Sequence, residues 1–309
     1  MSQFQQVSQI PKEAQERLFN AGYRIVGSHS AVEICHWTRE SLRKGRACYK
    51  EKWYGIQSHR CLEMTPALTF CTHKCQMCWR PLEFTINGEP KPDEPKMIID
   101  GCIEARKQLL TGFGGFEKVD KKKLKEAMTP TSAAISLAGE PTLYPRIAEL
   151  VEEFSRRKMQ TFLVTNGTRP DRLQSLTTEP TNLYISLCAP DKKTYLKVNR
   201  PLIDDGWEKI NESLELMKSF SCRAVLRLTL VNGLNFFEPE KYAKLISKTY
   251  ANFVEVKSYS WVGESRQRLP GSSVISMEEL KEFAQKIAKA TNYKIKDTDA
   301  ASRVVLLEK

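Results

Sequence analysis

No run of apolar residues in the 309-residue chain approaches the roughly 18 that a membrane-spanning helix requires, which argues against that kind of membrane protein. The opening stretch MSQFQQVSQIPKEAQERLF lacks a basic-then-apolar leader pattern, so the chain reads as soluble and cytoplasmic, with no membrane partner. A disulfide framework is missing as well. Nine cysteines are an odd count, and six of them (Cys35, Cys48, Cys61, Cys71, Cys75 and Cys78) crowd into residues 35–78, a distribution that ligation explains better than cross-linking. There is no internal repeat, low-complexity tract or long linker, which excludes repeat arrays and favours one compact architecture. Acidic residues are in the minority, 37 against 48 lysines and arginines for a net charge of +11. The basic excess gathers in clusters such as RKGRACYK (43–50), KKKLK (121–125) and SRQRL (265–269). Such clusters suit a polyanion, although each also suits an ordinary solvated helix face.

What is present after residue 65 is an alternation of short β-branched runs with helical patterns, the mark of βαβ units and a mainly parallel sheet. Six strands are expected: 67–71, 133–139, 161–167, 183–189, 223–231 and 253–259. The segment 206–220 repeats Trp207, Ile210, Leu214 and Met217 at helical spacing. A helix over 276–290 starts at a capping box of Ser276 and Glu279 and buries Leu280, Phe283, Ala284 and Ile287. The fold expected is an incomplete (β/α)6 TIM-type barrel over residues 65–309 including a C-terminal extension. Residues 1–64, with their own cysteines and many basic and aromatic residues, read as an N-terminal extension wrapped on it. Cys102, Cys188 and Cys222 are expected in the core, the first on a helix face with Ile98, Ile99 and Ala105 and the others in strands.

Chemistry concentrates in TFCTHKCQMCWRPLEF (69–84), where Cys71, Cys75 and Cys78 are spaced C-x3-C-x2-C. A structural zinc site normally closes its tetrahedron with four ligands, often as two separated C-x2-C pairs. Three thiolates on a 4Fe-4S cubane instead leave one iron open to a substrate or cofactor. Upstream, Cys35, Cys48 and Cys61 are spaced C-x12-C-x12-C, which does not suit a zinc ribbon. They suggest a second 4Fe-4S cluster, again one ligand short, or else three reduced cysteines buried in the extension.

The C-x3-C-x2-C loop resembles that of the radical S-adenosylmethionine superfamily, with Met77 where most members have an aromatic residue. SLAGEPTL then sets Gly139, Glu140 and Pro141 where the superfamily has Gly-Gly-Glu-Pro, Ala138 replacing the first glycine. By that resemblance the open iron chelates the methionine part of S-adenosylmethionine, Glu140 accepts from its ammonium, and reductive cleavage releases a 5′-deoxyadenosyl radical. VTNGT and ISLCAP place Asn166 and Ser186 at strand ends, available to the cofactor's carboxylate, ribose or adenine, or engaged in ordinary loop capping.

Together with RKGRACYK, SLAGEPTLYP, LVTNGTRP, KVNRP (197–201) and FVEVKSYSWVGESRQRL (253–269), the two triplets resemble the tRNA 4-demethylwyosine synthase family of the wybutosine pathway, in its form without a flavodoxin domain. The resemblance spans nearly the whole chain. It implies condensation of pyruvate with N1-methylguanosine in phenylalanine tRNA, next to the anticodon on its 3′ side, with two 4Fe-4S clusters and an external electron donor of the ferredoxin or flavodoxin type. The family places a functional lysine at Lys50. Its amine could form a Schiff base with the α-keto acid, neutralise the carboxylate of a pyruvate chelated to iron, or meet tRNA phosphate. Arg43, Lys44, Arg46, Arg200, Arg266 and Arg268 are the candidates for positioning the anticodon arm and its extruded base. Two rival readings are another radical enzyme with an auxiliary cluster, acting on RNA or a peptide, and a zinc-dependent RNA-binding protein. Anaerobically purified protein is expected to be brown and to contain iron and acid-labile sulfide; a colourless preparation with zinc and no sulfide would remove the cluster reading.

Overall fold

The computed structural model describes residues 8–309; residues 1–7, part of the N-terminal start read above, and the side chain of Lys44 lie outside the described residues. The chain divides into two compact units. The first gathers the residues through Cys71 with Gly88–Leu163 and Leu176–Thr181, and the second gathers Thr72–Asn87, Val164–Ser175 and Asn182–Lys309.

In the first unit, β1 (Arg24–Val26) pairs antiparallel with β2 (Ser30–Glu33), which pairs antiparallel with β3 (Cys61–Thr65). From β3 the pairing turns parallel, to β4 (Ser132–Ile135) and then to β5 (Gln160–Thr165) over the residues through Leu163. The N-terminal segment therefore adds two strands to the sheet. A boundary between residues 64 and 65 falls inside β3. Leu62, Met64, Ile135, Phe162 and Leu163 have no exposed surface. The helix Ile147–Arg156 contributes Leu150, Val151 and Phe154 to the core at helical spacing. Each such side chain stabilises the fold by about 1.5–3 kcal/mol relative to exposure.

In the second unit, β6 (Asn182–Ser186), β7 (Arg223–Leu230) and β8 (Phe253–Ser258) are parallel neighbours. β9 (Lys294–Asp299) pairs antiparallel with β10 (Val304–Glu308), which pairs antiparallel with β8. Three parallel strands in each unit make the six expected. Five of them occupy the expected places to within a few residues.

The first does not. The apolar letters ALTFC at 67–71 suggested a strand, but the strand is Cys61–Thr65, where Glu63 interrupts the apolar run between Leu62 and Met64. Pro66, which has no N–H to give a ladder, follows it directly. Ala67–Phe70 then turn, with the Phe70 N–H bonded to the Ala67 carbonyl at 3.2 Å. Cys188 is buried but follows β6 by two residues, and Cys222 is half-buried just ahead of β7, so neither is a core strand residue. Cys102 does lie on the buried face of the helix Pro95–Thr111 with Ile98 and Ile99.

The helix Gly206–Leu216 buries Ile210 and Leu214 as its period requires. The helix Met277–Lys289 carries the complete capping box of Ser276 and Glu279 and buries Leu280, Phe283, Ala284 and Ile287. Ser276→Ala is expected to lower unfolding free energy by about 1 kcal/mol; thermal denaturation checks this, and iron content should not change.

Candidate functional site: two cysteine sets and their surroundings

Residues of the first unit build the approach to Cys71. Gly139 has φ +70°, and a Cβ there would stand 1.7 Å from the Ala67 carbonyl oxygen and 2.7 Å from that of Phe70. Only glycine lets the loop after β4 press so closely on the turn that leads into the cysteine loop. The Thr65 hydroxyl donates to the Ala138 carbonyl at 2.5 Å, and the Glu140 N–H donates to the Phe70 carbonyl at 2.8 Å. Glu140 is buried, and its Oε1 accepts from the N–H and the hydroxyl of Thr142 at 3.0 and 2.6 Å, capping a short 3-10 turn begun by Pro141. Burial with these bonds fixes the carboxylate's orientation.

The rest of that cysteine loop belongs to the second unit. Asn166 donates from Nδ2 to the Thr72 hydroxyl at 2.9 Å, while its Oδ1 accepts from the Thr168 N–H and hydroxyl at 3.0 and 2.7 Å. The capping role is thus real, and it also ties the cysteine loop to the end of β5. Asn199 donates to the Cys75 sulfur at 3.5 Å, and the carbonyls of Asn199 and Arg200 accept from the Lys74 N–H at 3.1 Å. Arg268 donates from Nε to the Gln76 carbonyl at 3.2 Å and from Nη2 to the Cys78 carbonyl. It braces the cysteine loop, where a contact with tRNA was expected. Ser186, the last residue of β6, is in register with Arg227, whose Nε pairs at 3.0 Å with the fully buried Glu255. Tyr184 donates to the other oxygen of that carboxylate at 2.8 Å.

Cys35, Cys48 and Cys61 all lie in the first unit. Cys35 caps the helix His36–Lys44, its sulfur accepting from the Thr38 N–H at 3.4 Å. Cys48 precedes the helix Tyr49–Tyr54, and Cys61 opens β3. Ser58 joins their supports: its hydroxyl accepts from the Cys48 N–H at 2.8 Å and donates to Glu51 at 2.7 Å, and its carbonyl accepts from the Thr38 hydroxyl at 2.9 Å. Burial pushes all three thiols upward, Cys48 to about 12 despite the opposing influence of Lys50, and each also feels Glu63. Metal ligation would have to displace these protons. Lys50 is half-buried in the first turn of the helix after Cys48, with Nζ 4.6 Å from the Phe162 ring centroid. It acts electrostatically on both Cys48 and Cys61.

Among the described residues, no three cysteine, histidine or acidic side chains gather as they would around one bare ion. A cubane holds its thiolates at separate corners and asks for a different arrangement. The second cysteine set has what such a group needs: two buried cysteines and a half-buried one, the electrostatic influence of Lys50, and the buried Arg106, whose Nη1 has no acceptor. Sequence reading missed Arg106, Ser58 and the glutamates. An arginine spaced four residues from Cys102 and four from Leu110, in the middle of an apolar helical stripe, was the available signal for the first.

The tRNA candidates fall in different settings. Arg43 stacks at 5.2 and 5.1 Å from the Phe113 and Phe116 centroids, Arg46 and Arg200 are exposed, and Arg266 lies 5.0 Å from the exposed Trp261 ring. Lys44 lies outside the described side chains.

Two family models match the chain: the radical SAM superfamily over residues 66–246, and wyosine base formation over 248–309. The chain is thus a radical S-adenosylmethionine protein by fold and by its cysteine loop. It is 52% identical over 304 residues to the S-adenosyl-L-methionine-dependent tRNA 4-demethylwyosine synthase of Pyrococcus horikoshii, covering 96% of this chain and 89% of that protein. The Pyrococcus abyssi protein of the same name is 51% identical with the same coverage. A solved structure of TYW1 with a lysine–pyruvate adduct bound superimposes with a TM-score of 0.89 at 35% identity, over 97% of this chain and 96% of that one. The chain belongs to the family of S-adenosyl-L-methionine-dependent tRNA 4-demethylwyosine synthases. With that, the peptide-modifying and zinc-dependent readings fall away.

Glu33 and Glu63 stand directly opposite on β2 and β3. Burial first, then Glu63, raises the Glu33 carboxyl from an ordinary 4.5 to about 7, against the pull of Arg39. A carboxyl raised in the folded state contributes stability that is whole below about 4.5 and lost as pH rises through about 7. Glu33→Gln is expected to flatten the decline in melting temperature of metal-free protein across that window, as measured by calorimetry at stepped pH.

Proposed function

We propose that the chain condenses pyruvate with N1-methylguanosine in phenylalanine tRNA to give 4-demethylwyosine, with Lys50 as the residue that holds pyruvate. The observation that carries this reading is the position of Lys50, acting on both Cys48 and Cys61 from the helix that Cys48 opens. A structural relative that covers nearly the whole chain has a lysine–pyruvate adduct bound, which favours the Schiff base over the two alternatives for this amine. The bond formed joins Nζ to the keto carbon, with water leaving. The Phe162 ring forms an apolar wall beside the amine and limits hydration there.

Cys71, Cys75 and Cys78 would hold a 4Fe-4S cluster, which with S-adenosylmethionine bound would supply the radical chemistry for hydrogen abstraction from the N-methyl group. Gly139, Glu140 and Pro141 form the cradle for the cofactor's amino group, the buried carboxylate being pre-oriented for a charge-assisted bond. Asn166 holds the cysteine loop in place, and Ser186 ends a strand available to the rest of the cofactor. Cys35, Cys48 and Cys61 hold a second cluster beside Lys50. Arg43, Lys44, Arg46, Arg200 and Arg266 supply positive charge for the anticodon arm, where Trp261 with Arg266 over it offers a face on which a base can stack. An external donor of the ferredoxin or flavodoxin type delivers the electron. The cytoplasm is the natural compartment for such a donor and for tRNA, and no described helix is long and apolar enough to cross a membrane.

Reduced, reconstituted protein with S-adenosylmethionine, labelled pyruvate and N1-methylguanosine-containing tRNA is expected to yield a nucleoside retaining two pyruvate carbons, detected by mass spectrometry. Alanine at Cys71, Cys75 or Cys78 should abolish cofactor cleavage. Loss of Cys35, Cys48 or Cys61 should spare uncoupled cleavage and abolish product. Cyanoborohydride with pyruvate should label Lys50, and Lys50→Arg should lose both the label and the product; a label elsewhere would sink the assigned role.

A further inference from the structure

Arg106 has no exposed surface, although it lies on the helix Pro95–Thr111 between Cys102 and Leu110, also fully buried, where the helical period calls for an apolar residue. Two of its nitrogens are satisfied by backbone. Nη2 donates to the His59 carbonyl at 2.7 Å and Nε to the Ala127 carbonyl at 3.3 Å, which sets the guanidinium against the segment leading into Cys61. Nη1 is buried with no hydrogen-bond acceptor. A guanidinium stays charged when buried and is costly to hold without an anion. The groups that act on it are Cys61, Cys35 and Glu63. Glu63 is the acidic group among them, yet Nη1 has no acceptor from it and neutral thiols give little; thiolates on a cluster would add to the opposing charge and answer the open donor.

We propose that Arg106 is the positioning counter-charge of the second cluster, its remaining N–H donor serving the sulfur atoms held at Cys61 and Cys35. The inference rests on the reading that those cysteines hold a cluster. Its chemical consequence is directional. Reduction adds negative charge beside a buried cation, so Arg106 favours the reduced state, and hydrogen bonds to cluster sulfur act in the same sense.

The test uses the full chain in two backgrounds, one with Cys71, Cys75 and Cys78 changed to alanine and one with Cys35, Cys48 and Cys61 changed. Each is combined with Arg106, Arg106→Lys or Arg106→Met, and read by iron and sulfide content, by the paramagnetic resonance of the reduced cluster and by redox titration. In the first background Arg106→Met is expected either to lose most of its iron or to shift the reduction equilibrium at least tenfold toward the oxidised form, about 59 mV for one electron. Arg106→Lys should recover most of that shift, because charge is the main term. In the second background neither variant should matter. Unchanged iron and potential in the first background would overturn the inference, and equal losses in both would assign Arg106 to the fold alone. No iron in the first background with Arg106 intact would instead overturn the second cluster itself, and the inference with it.

Discussion

One serine joins the supports of two cysteines in the first unit. Ser58 accepts from the Cys48 N–H, donates to Glu51 and gives its carbonyl to Thr38, the residue whose N–H meets the Cys35 sulfur. Three residues later the chain enters β3 at Cys61. Cys35 and Cys48, separated in sequence, thereby share a single buried support. Each bond of this kind contributes only about 1 kcal/mol net. Their importance is geometric, since a polyatomic cluster tolerates little error in the placement of its thiolates, and an unmade bond among buried polar groups costs more than a made one returns.

The same burial explains the distribution of charge. Thiols removed from water resist ionising, as the raised Cys35, Cys48 and Cys61 values express. A site that must carry thiolates therefore needs cations that cannot escape to solvent. Lys50 and Arg106 meet that requirement differently. Lys50 is half-buried, on the first turn of a helix and against an aromatic face, and keeps some exposure. Arg106 is pinned by backbone carbonyls and has no access to anything except the interior. One position suits chemistry and the other suits electrostatics.

Much of this was legible in the sequence where spacing alone carries information. Five of six parallel strands and the Ser276 cap follow from local patterns that the fold had no reason to override, and the Gly139–Pro141 stretch presses on the turn that leads into the cysteine loop. The failures have a common cause. Glu63 hid β3 because a carboxylate interrupts its short apolar run, and Ala67–Phe70 looked like a strand because turns that bury apolar residues use the same letters. Arg268 was read as a residue for tRNA and Asn166 as one for the cofactor or for loop capping, and both are bonded to the cysteine loop. A basic or amide side chain carries no mark in its sequence of whether its partner is a ligand or a carbonyl of its own chain.

That last distinction bears on how a radical enzyme is built. The cysteine loop has little regular structure, and short spacing between ligands leaves it free to fold in several ways. Here it is fixed by hydrogen-bond partners from well-separated elements: Asn166 after β5, which donates to the Thr72 hydroxyl, Arg268 near the C-terminal part of the chain, which donates to the Gln76 and Cys78 carbonyls, and the carbonyls of Asn199 and Arg200, which accept from the Lys74 N–H. Bonds from long-range partners form only when the unit is assembled, so loop geometry becomes a property of the whole unit. A cluster that leaves one iron open requires this, because no fourth protein ligand is available to correct a misplaced thiolate.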